Sequence, residues 1–283
     1  MQQAYPEEYA RLTPTEGGEL VVERYGDAPE QFGELWPARV PPADEGPQPV
    51  VVLLHGGYWR SRYRLDLMHA AAADLQRRGL AVWNLEYRRM DSPGGGWTGT
   101  FDDVAAGFDF LGDLADRHRL DLGRVAVVGH SAGGHLALWL AGRPRLEGGP
   151  GAPPLLPPAL AVALAGICDL EEACRQGLSD DAVVQLLGGR PEDRAEAYRQ
   201  ASPLALLPLG VPQILVHGTA DDAVPFEISQ RYAAAARAAG DACELIALDG
   251  VGHRSLIDPA SDAWHLTVER LEHALRPAEE RSS

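Results

Sequence analysis

Lysine is absent from this 283-residue chain: all 25 basic residues are arginine, against 41 acidic ones, for a formal charge of −16. That deficit of positive charge excludes a basic face for nucleic acid or anionic lipid, and the acidic surplus is expected to serve solubility. No apolar run reaches the roughly 18 residues that a membrane-spanning helix needs. The start, MQQAYPEEYARLTPTEGGEL, lacks the basic stretch and apolar core of a signal peptide. Cysteine is scarce, three in all. Cys168, Cys174 and Cys243 lack CxxC spacing, so they read as reduced, buried, small apolar residues and not as a disulfide frame or a zinc site. With no H-E-x-x-H and no cluster of His and Asp ligands, no metal or other cofactor is expected. These absences together predict a cytoplasmic protein; they say nothing of its oligomeric state.

What the chain does have is alternation. With 45% hydrophobic residues it can bury a sizeable core. Apolar runs bounded by turn residues recur at 50–55 (VVVLLH), 80–87 (LAVWNLEY), 125–130 (VAVVGH), 160–168 (LAVALAGIC), 213–217 (QILVH) and 244–248 (ELIAL). Uninterrupted apolar strands belong in a parallel sheet covered on both faces. Between them lie segments of helical period: 66–79, closing on Gly79; 102–118, started by Thr100 or Asp102; and 132–143, 228–240 and 262–275. Two earlier strands, 20–25 (LVVERY) and 35–40 (LWPARV), and a Pro-rich connection at 41–49 precede this alternation. The prediction is an α/β fold: an eight-stranded, mostly parallel sheet with helices on both faces, residues 1–283 forming one domain. Residues 144–158 are too rich in Pro and Gly for regular structure, and 169–209 reads as a helical insert and partial lid.

Chemistry concentrates at strand ends. GHSAGG at 129–134 is a G-x-S-x-G between a buried strand and an Ala- and Leu-rich helix. On such a tight turn Ser131 projects above the sheet, the flanking side chains must be small, and the helix start favours developing negative charge. Serine needs a base, and the base an orienting acceptor. His253, in the glycine-flanked loop 250–255 (GVGHRS), is the candidate base. His265 and His273 fall on the last helix and are expected to face solvent, and His135 is assigned to packing. For the acceptor, HGTADDAVP at 217–225 offers Asp221 and Asp222, and its place in the loop favours Asp221. Asp249 and Asp258 lie too close to His253 in sequence to be held by a separate strand end. The order Ser131, Asp221, His253 puts all three beyond strand C-termini, where an open α/β sheet builds its site.

A tetrahedral intermediate also requires N–H donors for its oxyanion. One is expected from Ala132, the residue after the serine. The other is expected from the loop after the strand that ends at His55 in VVLLHGGYWR (51–60), where Gly56 and Gly57, lacking Cβ, let the main chain approach substrate. Tyr58 and Trp97 are candidates for the pocket wall, and Trp59 for packing that anchors the loop.

From about residue 50 to 275 the chain resembles the α/β-hydrolase superfamily. H-G-G-x-W (His55 to Trp59) with GHSAGGHLA resembles the kynurenine formamidases (arylformamidases) and related carboxylesterases. HGTADDAVP and the Ala201-Ser202-Pro203 end of the insert are also similar to the catalytic domain of prolyl-oligopeptidase-type peptidases, whose propeller is not expected here. The resemblance implies Ser131, Asp221 and His253 as a triad and Gly56, Gly57 and Ala132 as oxyanion donors. It implies a metal-free serine hydrolase acting on a small-molecule ester or aryl formamide. Peptide or aminoacyl cleavage is an alternative, and a non-catalytic binding protein on the same fold is another.

Overall fold

Each apolar run becomes a strand whose side chains alternate between two cores. The computed structural model describes residues 20–39 and 46–277; residues 1–19, 40–45 and 278–283, with most of the predicted Pro-rich connection, lie outside the described residues. The strands are β1 (Val21–Arg24), β2 (Phe32–Trp36), β3 (Gln48–Leu54), β4 (Ala81–Leu85), β5 (Leu120–His130), β6 (Leu160–Leu164), β7 (Gln213–Gly218) and β8 (Cys243–Leu248). They form one eight-stranded sheet of order β1-β2-β4-β3-β5-β6-β7-β8. The β1–β2 and β2–β4 pairs are antiparallel and all others parallel.

Alternate residues of β3 show the two-sided burial: Val50, Val52 and Leu54 join one cluster, Val51 and Leu53 the other. The first cluster is covered by α2 (Gly99–Asp109), α3 (Leu111–His118), α4 (Ala132–Gly142) and α8 (Phe226–Ala238). The second is covered by α1 (His69–Arg77) and α9 (Asp262–Leu275). Every residue of α4 is buried, because helix and sheet enclose it on all sides.

Of the boundaries that differ from the sequence expectation, three have a clear local cause. β2 lies at Phe32–Trp36 and not at 35–40, because Pro37 has no N–H to extend the ladder that ends at the Trp36–Val82 pair. β6 stops at Leu164, since Ala165 takes a left-handed φ of 49° and turns the chain away before Cys168. The segment expected as one helix over 102–118 is two, starting after Thr98. Thr100 is not the cap: its hydroxyl donates to the Arg88 carbonyl and accepts the Gly96 N–H, which holds it inside the first turn. The insert contains α5 (Leu170–Arg175), α6 (Leu178–Leu187) and α7 (Pro191–Ala201). Asp169 caps α5 by accepting the Glu172 N–H at 3.0 Å. Arg60 ties the insert to the loop after β3 through the Ser179 carbonyl (2.8 Å) and Gln185 (3.2 Å).

Candidate active site

A tight turn between strand and helix carries Ser131. Between β5 and α4 it adopts φ 57° and ψ −118°, with its N–H bonded to the Leu164 carbonyl at 2.8 Å and its own carbonyl accepting from His135 N at 3.1 Å. A non-glycine residue held in this region is strained and persists only where its surroundings fix it. The turn is so tight that a Cβ on Gly129 would lie 2.0 Å from the Gly133 carbonyl oxygen. The expectation of small flanking side chains therefore holds at Gly129, Ala132 and Gly133 but not at His130, whose large ring is buried beside the serine.

His253 opens a short turn, His253–Ile257, after β8. Its Nδ1 lies 2.7 Å from Asp221 Oδ2. The other oxygen of Asp221 accepts the N–H groups of Ala223 (2.9 Å) and Val224 (2.8 Å), and His217 Nε2 stands 3.3 Å from Oδ2. Asp222 is exposed on the cleft wall, while Asp249 accepts the Thr219 hydroxyl at 3.0 Å. His265 and His273 are exposed on α9 as expected. Burial pushes the Asp221 carboxyl up, but hydrogen bonds from His217 and His253 and the charge of His253 outweigh it and hold the group well below the usual carboxylate range. A carboxyl depressed on folding adds stability that is complete above its unfolded value, about pH 4, and is lost as pH falls below that. Urea unfolding across about pH 3 to 6 is thus expected to show wild-type stability falling at the acid end, with a shallower slope there in Asp221→Asn. An unchanged slope would contradict the assignment.

Ser131 and His253 line one cleft of about 280 Å³ together with Gly56, Gly57, Tyr58 and Ser179. The described hydrogen bonds join His253 to Asp221 and do not join it to the Ser131 hydroxyl; in unliganded enzymes such contacts commonly tighten only with substrate.

His130 is a participant that the sequence reading passed over. Its Nε2–H donates to the His253 carbonyl at 3.0 Å, and the two rings stand 4.3 Å apart. Burial, then the neighbouring His253, pushes His130 well below the ordinary histidine range, so it is neutral and serves as a fixed donor that holds the His253 backbone. Its only trace in the sequence was a bulky residue where the turn calls for small ones.

The loop after β3 accounts for both glycines. A Cβ on Gly56 would meet the His130 carbonyl at 2.9 Å and Ser131 Cβ at 3.1 Å, so only glycine lets this strand end lie against the serine. Gly57 has φ 110° and packs where a Cβ would strike the Tyr63 side chain at 2.4 Å. The left-handed path continues through Tyr58 (φ 49°) and Trp59 (φ 55°). Tyr58 spans the cleft to donate to the Ala223 carbonyl at 2.5 Å, and burial, then Asp221 and Asp222, raises its hydroxyl to about 12. Trp59 is fully buried, edge-on to His135 at 5.2 Å, as the packing assignment expects. Ala132 begins α4, whose first N–H groups have no intrahelical acceptor. Trp97 corrects the expectation of a pocket wall: it is not among the residues lining the cleft. Its N–H binds the Leu186 carbonyl at 2.9 Å and its ring packs edge-on against Phe101, at 5.1 Å, which directs it to the insert. Among the described residues no group of three or more His, Cys, Asp or Glu is arranged to hold a metal, and no helix is long and apolar enough to cross a membrane.

A family model described as BD-FAE matches residues 39–235. Among characterised proteins, the chain is 28% identical over 240 residues to the esterase LipC of Mycobacterium tuberculosis, covering 81% of this chain and 58% of that one. It is 27% identical over 248 residues to the isoprenylcysteine alpha-carbonyl methylesterase ICME of Arabidopsis thaliana, covering 82% and 56%. It thus spans just over half the length of these relatives. Propionate-bound esterase 2 (Est2) of Thermogutta terrifontis superposes with a TM-score of 0.71 at 26% identity, covering 96% of each chain. A truncated carbohydrate esterase from gut microbiota shares the fold, with a TM-score of 0.74 at 16% identity over 90% of this chain and 95% of that one.

Proposed function

The chain belongs to the BD-FAE family, and from that premise we propose that it is a serine carboxylic ester hydrolase working through an acyl-enzyme on Ser131. The observation that carries this reading is the meeting of Ser131, the His253–Asp221 pair at 2.7 Å and the Gly56–Gly57 loop around one cleft. Ser131 Oγ attacks the ester carbonyl while His253 Nε2 takes its proton, and Asp221 holds the Nδ1–H and stabilises the imidazolium. The N–H groups of Ala132 and of the Gly56–Gly57 loop receive the oxyanion. His253 then protonates the departing alcohol, and a water deprotonated by the same imidazole hydrolyses the acyl-enzyme.

A cleft of about 280 Å³ favours a short acyl group, as does the propionate held by the Thermogutta esterase. Aryl formamides and aminoacyl amides would pass through the same steps, so the substrate class is decided by turnover. The three cysteines are buried and unpaired, in keeping with a cytoplasmic setting. We take residues 1–283 as one domain carrying 169–209 as its helical insert; Ser179 is that insert's residue on the cleft wall.

Assayed side by side on p-nitrophenyl acetate and butyrate, N-formylkynurenine and an aminoacyl-nitroanilide, the protein is expected to turn over the esters fastest by at least about tenfold, with a fluorophosphonate adduct on Ser131. Faster formamide turnover would assign it to the formamidases. A folded protein that gives no adduct and no turnover would be a binding protein.

A further inference from the structure

We propose that Glu86 is a positioning residue for the oxyanion loop, acting through His55 to aim the Gly57 N–H into the cleft; this rests on the serine-hydrolase reading above. His55 and Glu86 are both fully buried and stand at the ends of neighbouring strands, just past the Leu54–Leu85 pair of β3 and β4. Both imidazole nitrogens face acceptors: Nδ1 lies 2.8 Å from the Gly56 carbonyl oxygen and Nε2 lies 3.0 Å from Glu86 Oε1. Because a trans peptide points its C=O and the following N–H in opposite directions, fixing the Gly56 carbonyl against His55 turns the Gly57 N–H to the other side. Gly57 lines the cleft with Ser131, and it is there that the proposal directs its N–H.

The ring cannot swing away. It stacks on Tyr87 at 4.3 Å with the planes 8° apart, and the Tyr87 hydroxyl donates to the His55 carbonyl at 2.7 Å. Glu86 is equally constrained: it accepts the Tyr87 N–H at 2.9 Å, the Leu65 N–H at 3.3 Å and the Arg89 guanidinium. Through Leu65 the same carboxylate holds the turn that carries Leu67 onto the cleft wall. Burying these ionic groups gives little net stability compared with apolar side chains of the same volume. What an apolar set would not supply is the direction imposed on the Gly56 peptide.

The test compares Glu86→Gln, His55→Phe and the double variant with wild type on p-nitrophenyl butyrate, each checked for folding by thermal unfolding. Glu86→Gln also removes the buried counter-charge of Arg89, whose guanidinium keeps its bond to the Tyr87 carbonyl, so His55→Phe, which keeps the stack on Tyr87 and leaves Glu86 paired with Arg89, decides alone if the first does not fold. In each folded single variant kcat is expected to fall about 30- to 100-fold with KM within about threefold, as misaiming one oxyanion donor requires. Affinity for a trifluoromethyl ketone analogue should fall by the same factor, and the double variant should be no slower than the slower single one, because the residues act in series. A folded His55→Phe with kcat within about threefold of wild type, or a loss confined to KM with ketone affinity kept, overturns the proposal. Fluorophosphonate labelling of wild-type Ser131 separates the two readings: its absence removes the hydrolase assignment and this proposal together, whereas labelling with undiminished variants removes this proposal alone.

Discussion

Ser131→Ala is expected to lower kcat/KM on p-nitrophenyl butyrate by at least about 10³-fold and to abolish the fluorophosphonate adduct, with the unfolding midpoint shifted by no more than about 2 °C. The two halves of this result have different causes. Activity falls because the attacking oxygen is gone; what survives is turnover from the oxyanion donors and binding alone. Stability is kept because alanine carries the same Cβ into the same backbone, so the strain at φ 57° is unchanged and the N–H bond to Leu164 at 2.8 Å remains. Undiminished turnover in the purified variant would place the nucleophile elsewhere and end the acyl-enzyme reading. A large loss of stability would mean that the hydroxyl has a structural partner.

Gly133→Ala should do the reverse and damage the fold before the chemistry. A Cβ there would lie 2.0 Å from the Leu54 carbonyl oxygen and 2.6 Å from that of His55, both main-chain atoms. Neither can rotate aside, so α4 and the end of β3 must separate. The expected cost is about 3–5 kcal/mol, read as a midpoint lowered by roughly 10 °C or as failure to accumulate folded protein. Gly112→Ala in α3 is the matched control: nothing lies within 4 Å of its added Cβ, and better helix propensity should leave it neutral or more stable by up to about 1 kcal/mol. Equal stability of the two variants would show that the close approach of α4 to β3 is not what fixes the elbow. Because Leu54 and His55 lead into Gly56 and Gly57, a surviving Gly133→Ala protein should also lose turnover through a displaced oxyanion loop.

The residues that sequence pattern located share a property: their position follows from neighbours along the chain. Each predicted run of the parallel sheet became a strand, because an uninterrupted apolar stretch between turn residues can be buried on both faces only in a covered sheet. Ser131, His253 and the Gly56–Gly57 pair were legible because their loops begin where those strands end, and strand C-termini in an open α/β sheet converge on one edge. Even β2 was misplaced by only a few residues, through a proline whose consequence depends on having a partner strand.

Only the tertiary structure decided which side chains meet across that edge. Asp221, and not the adjacent Asp222, reaches His253 because the loop turns one carboxylate inward onto the Ala223 and Val224 amides and leaves the next exposed. Trp97 packs on Phe101 beside the insert, although a tryptophan in a Gly-rich loop reads as a pocket wall. His130 braces His253, 123 residues away, and Glu86 holds His55 across 31. Hydrophobic period and turn composition are properties of adjacent residues, so the chain by itself specifies its strands, its helices and the loops that hold the candidate site. Hydrogen bonds between those loops depend on strand order and on which way each buried polar group must turn to be satisfied, and that is settled only when the sheet has assembled.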